Sequence, residues 1–191
     1  MKVTAFNGSP RKNGNTSILI NHALDALQKE GIETELVQVG GKKIHGCIAC
    51  YQCFSTLDNC CAVKNDIVND CIKKMLESDG IIIGSPTYFA AITPEAKALI
   101  DRSGMVSRAN GNMLKRKAGA AVVAARRGGA ISVFDTINHF FTIGEMIIPG
   151  SNYWNVGLGR NVGDVEQDEE GVGTMRILGE NMAWLLKKIA G

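Results

Sequence analysis

The 191-residue chain predicts a three-layer α/β sandwich, with a five-stranded parallel sheet in the order 2-1-3-4-5 and helices on both faces. Three observations carry that expectation. Strand-like and helix-like segments alternate along the whole chain, which is the signature of parallel strands joined by helical crossovers. The central strand candidates are almost continuous apolar runs, as burial on both faces requires. No internal repeat or low-complexity stretch interrupts the pattern.

Residues 2–6 form a β-prone run that stops at Asn7-Gly8-Ser9-Pro10, a turn-forming string. Residues 16–27 then place Ile18, Leu19, Ala23, Leu24 and Leu27 on one helical face. A second strand is expected over 33–39, a helix over 67–76 and a buried third strand over 80–84. Pro94 suits the first turn of a helix running to about Arg102. A fourth strand is expected over 118–125 and a helix over 130–144. A short fifth strand over 146–148 and a long amphipathic helix over 175–189 complete the series.

Hydrophobic residues make up 45% and charged residues 21%, a globular balance that one core can satisfy at this length. The expected organisation is one domain over 1–191 with a cysteine-rich insertion at about 44–62. The net charge is +2, and the basic residues form no run or stripe that would track a phosphate backbone, which argues against nucleic acid. The N-terminus reads as a strand instead of a signal peptide, and the apolar runs are short. A cytoplasmic protein without membrane contact is expected.

In such a sheet, ligands bind beyond the carboxyl ends of the strands at the topological switch point. The loops after strands one, three and four should therefore converge. The first brings Ser9, Arg11, Asn15, Thr16 and Ser17 to a helix N-terminus, where amides, hydroxyls and a guanidinium favour an anion. Gly8 and Gly14 are too widely spaced for a Walker A loop, no Lys follows Gly14, and there is no Gly-x-Gly-x-x-Gly, so ATP and a Rossmann dinucleotide are disfavoured. Simple capping by Asn15, Thr16 and Ser17 is the bland alternative. Tyr88-Phe89 can equally be core packing, and Arg126-Arg127-Gly128-Gly129 can either close over a ligand or face solvent.

Five of six cysteines fall within fifteen residues: Cys47, Cys50, Cys53, Cys60 and Cys61. Three at two-residue intervals, with a fourth slightly later, suit a 4Fe-4S cluster. Zinc usually takes two separated pairs, and a thioredoxin-like motif normally opens a helix. Both readings, and unoccupied redox thiols, stay open on spacing alone. Cys71 sits in a helical stretch and reads as a buried apolar residue. His45 could tune a cluster by hydrogen bonding, and His139 reads as a packed or interface histidine.

Gly8-Ser9-Pro10-Arg11-Lys12-Asn13-Gly14-Asn15-Thr16, together with Ser85-Pro86-Thr87-Tyr88, resembles the flavodoxin-like NAD(P)H-dependent FMN reductases. The cysteine motif between the second strand and the next helix is similar to that of the iron-sulfur flavoproteins within that superfamily. Lys97-Ala98-Leu99-Ile100-Asp101-Arg102, Lys117-Ala118-Gly119-Ala120-Ala121 and Met146-Ile147-Ile148-Pro149-Gly150-Ser151-Asn152 extend the resemblance over nearly the whole chain.

The resemblance implies an oxidoreductase that binds FMN, with phosphate on Ser9, Arg11, Asn15, Thr16 and Ser17 of the first loop and Pro86, Thr87, Tyr88 and Phe89 along the ring; by their position after the fourth strand, Arg126, Gly128 and Gly129 are then placed to close over it. It implies a 4Fe-4S cluster on Cys47, Cys50, Cys53 and Cys61. Asp66 and Ile67 fall in family register from Cys61, so Cys60 is the alternative fourth ligand. Electrons would pass between cluster, FMN and a carrier such as ferredoxin or a small acceptor, in a homodimer or homotetramer, with NAD(P)H a candidate donor. The rival readings are an NAD(P)H-dependent FMN, quinone or nitro-compound reductase without a cluster, and a non-enzymatic metal-binding or thiol redox-sensing module.

Overall fold

Residues 1–190 are described by a computed structural model. The elements are β1 (Lys2–Asn7), α1 (Asn15–Lys29), β2 (Glu33–Gln38), α2 (Gln52–Thr56), α3 (Val68–Glu77), β3 (Gly80–Pro86), α4 (Pro94–Ala109), β4 (Ala118–Ala125), α5 (Ala130–Ile143), β5 (Val156–Leu158) and α6 (Glu169–Ala190). The strands form one parallel sheet in the order β2-β1-β3-β4-β5, as the alternation predicts.

Strand alternation divides β3 between two cores. Ile82 packs with Leu19, Ile20, Leu178 and Met182 of α1 and α6, while Ile81 and Ile83 pack with Ile72, Leu99, Ile137 and Phe141 of α3, α4 and α5. Both cores are closed to water, so both faces of the central strands are apolar.

The fifth strand is a correction. Over 146–148 only Ile147 pairs with the start of β4, through Gly119 N–H to Ile147 O at 2.9 Å and Ile147 N–H to Lys117 O at 3.0 Å. Pro149 has no N–H to continue the ladder. The chain bulges away, leaving Tyr153 and Trp154 more than half exposed, and Asn155 brings it back through its side-chain amide to Ala121 O at 2.9 Å. β5 therefore pairs with the far end of β4. α4 also runs seven residues beyond Arg102, because Val106 continues its buried stripe. α6 starts at Glu169 instead of about 175: the Asp168 carboxylate accepts the Gly171 amide at 3.0 Å, and Glu169 and Glu170 complement the helix dipole. Among the described residues no helix is long and apolar enough to cross a membrane.

Candidate functional site

The loop after β1 is held from below by the end of β2. Asn7 Nδ2 donates to Gln38 Oε1 at 2.8 Å, and Gln38 Nε2 donates to Ser9 O and Gly40 O, both at 2.7 Å. A Cβ on Gly40 would lie 2.3–2.4 Å from the backbone of Gly8 and Ser9. Gly40→Ala is accordingly expected to push the loop out of place, lowering stability by roughly 1–3 kcal/mol and weakening anion binding there, as read by thermal unfolding and ligand titration.

Within the loop, the Ser9 amide donates to Asn7 Oδ1 at 3.0 Å and the Ser9 hydroxyl accepts the Arg11 amide at 3.2 Å, so that hydroxyl keeps its proton to donate. Gly14 is the N-cap of α1 and no side chain caps the helix. The Ile18 amide, bonded to Gly14 O at 3.1 Å, is the first with an intrahelical partner, and the earlier amides of the turn remain available to an anion. Capping therefore does not account for the three polar residues. The Ser17 hydroxyl donates to Gly14 O at 2.8 Å. The Asn15 side chain is occupied: Nδ2 donates to Asn161 O and Oδ1 accepts the Gly163 amide, both at 2.8 Å. It fastens the segment after β5 over the helix end and leaves only its backbone for a ligand. Arg11 is exposed and has no ion pair among the described residues.

The loop after β3 ends in a two-residue turn. Tyr88 and Ala91 exchange backbone hydrogen bonds at 2.9 Å in both directions, and Phe89 and Ala90 have φ of 49° and 59°, as a type I′ turn requires. This presents Phe89 wholly to solvent, at 107% exposure. Thr93 joins the loop to the first one, its hydroxyl donating to Gly8 O at 2.8 Å. Gly129, at φ 82°, brings the β4 loop against Ala90 and Thr87, which a Cβ would meet at 3.1–3.2 Å. The three loops thus meet at the sheet's carboxyl edge. The Thr87 hydroxyl is buried there without a hydrogen-bond partner, and buried polar groups normally have one. With the free first-turn amides and unpaired Arg11, this donor set fits a phosphorylated, hydrogen-bonding ligand such as FMN.

The cysteine segment lies between β2 and α3. Cys47, Cys50, Cys53 and Cys61 line one small concavity floored by Arg102, Met105 and Val106 of α4, and Cys60 lies outside that lining. The third cysteine, Cys53, sits in the short helix α2. Ala49 and Tyr51 have φ of 51° and 56°. The backbone thus enters the left-handed region on either side of Cys50, a conformation that non-glycine residues rarely adopt. Ala49 is exposed, so Ala49→Gly is expected to relieve up to about 1 kcal/mol of strain in the metal-free protein, measured by urea unfolding.

Burial pushes the Cys53 thiol up, and the neighbouring Cys61 and Cys50 add to this while backbone hydrogen bonds oppose it. Cys71, by contrast, is pushed up to about 12, first by burial in the core and then by Asp70, which makes it inert. Among the described residues no three His, Cys, Asp or Glu side chains meet closely enough for a single metal ion. The four residues instead line one small concavity, and a cubane takes one thiolate at each of its irons.

The residue missed by sequence reasoning is Arg102. Its side chain and that of Asp66 are both fully buried and paired. Its Nε donates to Cys61 Sγ at 3.2 Å, Nη1 to His45 O at 3.2 Å and to Asp66, and Nη2 to Val63 O at 2.6 Å. Burial pushes the Asp66 carboxyl up, but Arg102 and the Val68 and His45 amides more than offset this and hold it below its ordinary value. Asn69 grips the Cys61 backbone from both sides, at 2.8 and 2.9 Å. His45 enters this network through its backbone, while the residue itself is exposed. His139 is exposed as well and lines a mostly apolar groove between α4 and α5 that ends at Cys47.

Residues 1–161 match the family model of NADPH-dependent FMN reductases. An iron-sulfur flavoprotein of Methanocaldococcus jannaschii is 40% identical over 99% of both chains. One from Methanosarcina thermophila is 33% identical over 99% of this chain and 97% of its own. Among solved structures, RosB with a bound 8-demethyl-8-formylriboflavin-5'-phosphate intermediate superposes with a TM-score of 0.76 at 20% identity, over all of this chain and 80% of that one. A flavodoxin from the domain Archaea gives 0.63 at 14% identity, over 98% and 99%.

Proposed function

The chain belongs to the iron-sulfur flavoproteins within the NADPH-dependent FMN reductase family, and from that membership we propose that it carries electrons between a 4Fe-4S cluster, FMN and a one-electron carrier of the ferredoxin type. It is an FMN-dependent flavoprotein oxidoreductase. The observation that supports the finer reading is that a single helix serves both sites. α4 leaves the flavin loop at Thr93, which is bonded to Gly8 O, and roughly two to three turns later its Arg102 and Met105 line the four-cysteine concavity.

FMN exchanges one or two electrons and a cubane one, so together they link two-electron and one-electron partners. The chain's own residues bind and orient. The first-turn amides of α1 with Ser9 and Arg11 would hold the phosphate. Pro86, Thr87, Tyr88 and Phe89, with Arg126, Gly128 and Gly129, would hold the flavin ring, and the Thr87 hydroxyl would be free to hydrogen-bond it. Cys47, Cys50, Cys53 and Cys61 would supply the thiolates of the cluster.

Exposed Ile48, Tyr51, Phe54 and Leu57 surround the cysteine loop with apolar surface, which supports a homo-oligomer or a docked carrier at this place. Anaerobic reduction tests the reading. A reduced ferredoxin should bleach the flavin in the reconstituted protein, and removal of the cluster should abolish this. Equal bleaching by NADPH with and without the cluster would favour a simple flavin reductase.

A further inference from the structure

We propose that Arg102 is a positioning residue of the cluster, selecting Cys61 over Cys60 as the fourth ligand and raising the cluster's reduction potential through an N–H···S hydrogen bond. The inference rests on the cluster reading and goes beyond it. A guanidinium is costly to bury, and 1% exposure of an arginine requires that its charge and its donors be satisfied. The Asp66 carboxylate and the His45 and Val63 carbonyls take the Nη groups. Nε is left for the Cys61 sulfur at 3.2 Å, a weak acceptor as a thiol and a far stronger, charged one as a thiolate.

The surroundings distinguish the adjacent cysteines. Cys61 is held at its sulfur by Arg102 and at its backbone by Asn69. The Cys60 amide is bonded instead to Asp58 at 3.1 Å, and its residue does not line the concavity. Arg102 of α4, paired with Asp66 of the loop before α3, and Asn69 of α3 converge on Cys61 and fix where the fourth sulfur stands.

Reduction adds one electron to a cluster and raises the negative charge on its sulfurs. A cationic donor on one sulfur stabilises the reduced form more than the oxidised form, so the potential rises. Protein labelled with 15N-arginine, reconstituted anaerobically and reduced, should show one weakly coupled 15N in its pulsed EPR spectrum. The coupling should vanish in Arg102→Lys. The charge-neutral double variant Arg102→Gln/Asp66→Asn should bind iron yet shift the potential negative, by about 59 mV for a tenfold change in the oxidised-to-reduced ratio. Cys60→Ser should keep the wild-type spectrum.

Wild-type protein that takes up no iron and sulfide would overturn the cluster reading and this inference with it. A cluster-bearing wild type without the 15N coupling would overturn the inference alone, whatever the variants do. So would loss of the cluster in Cys60→Ser.

Discussion

Replacing Cys50 with serine is expected to leave FMN in place and to reduce bound iron and acid-labile sulfide to background. Cys50 is exposed, so the substitution removes no core packing, and any loss of metal reflects ligation. A serine hydroxyl at neutral pH supplies no thiolate. The flavin loops lie on other segments and should be indifferent. Iron, sulfide and flavin assays after anaerobic reconstitution check this, with Cys71→Ser, in the core, as the variant that keeps its iron. Wild-type iron in Cys50→Ser would remove Cys50 from the ligand set.

Asp66→Ala produces the largest expected loss of stability. It leaves the Arg102 guanidinium buried without its carboxylate, a change that costs roughly 3–5 kcal/mol, or about 6–20 °C in Tm for a chain of this size. Thermal unfolding of the metal-free protein measures it; a loss below about 1 kcal/mol would be that of an exposed pair. The pH dependence follows from the lowered Asp66 carboxyl. Its contribution is fully present above the unfolded carboxylate value of about 3.9. It is lost as the pH falls from there through the lower folded value, because the unfolded chain binds the proton first. Acid titrations of wild type and Asp66→Asn should converge at the acid end.

The parts of the fold that were legible in the sequence are those with local causes. β4 occupies the expected 118–125 because an unbroken small and apolar run is bounded by Lys117 and Arg126. The fifth strand was misplaced because 146–148 is the more apolar segment, yet Pro149 ends its pairing and a three-residue strand beyond Asn155 takes over. The thiol motif could be read because its spacing is local.

The left-handed Ala49, Tyr51, Phe89 and Ala90 are not legible, since nothing in an alanine, tyrosine or phenylalanine side chain announces positive φ. Arg102 meets Cys61, Asp66 and His45 across long sequence separations, so its partners were invisible. One signal was available: with Leu99 and Val106 it falls at helical spacing on the buried stripe of α4, where a solvent-facing arginine has no place.

Whether one chain holds both FMN and a 4Fe-4S cluster is decided by anaerobic reconstitution with iron, sulfide and FMN, followed by cofactor analysis and EPR of the reduced protein. One FMN and one cubane per chain, with the EPR signal of a reduced 4Fe-4S centre, is the predicted result. Protein that binds FMN but retains no iron or sulfide under those conditions would contradict it.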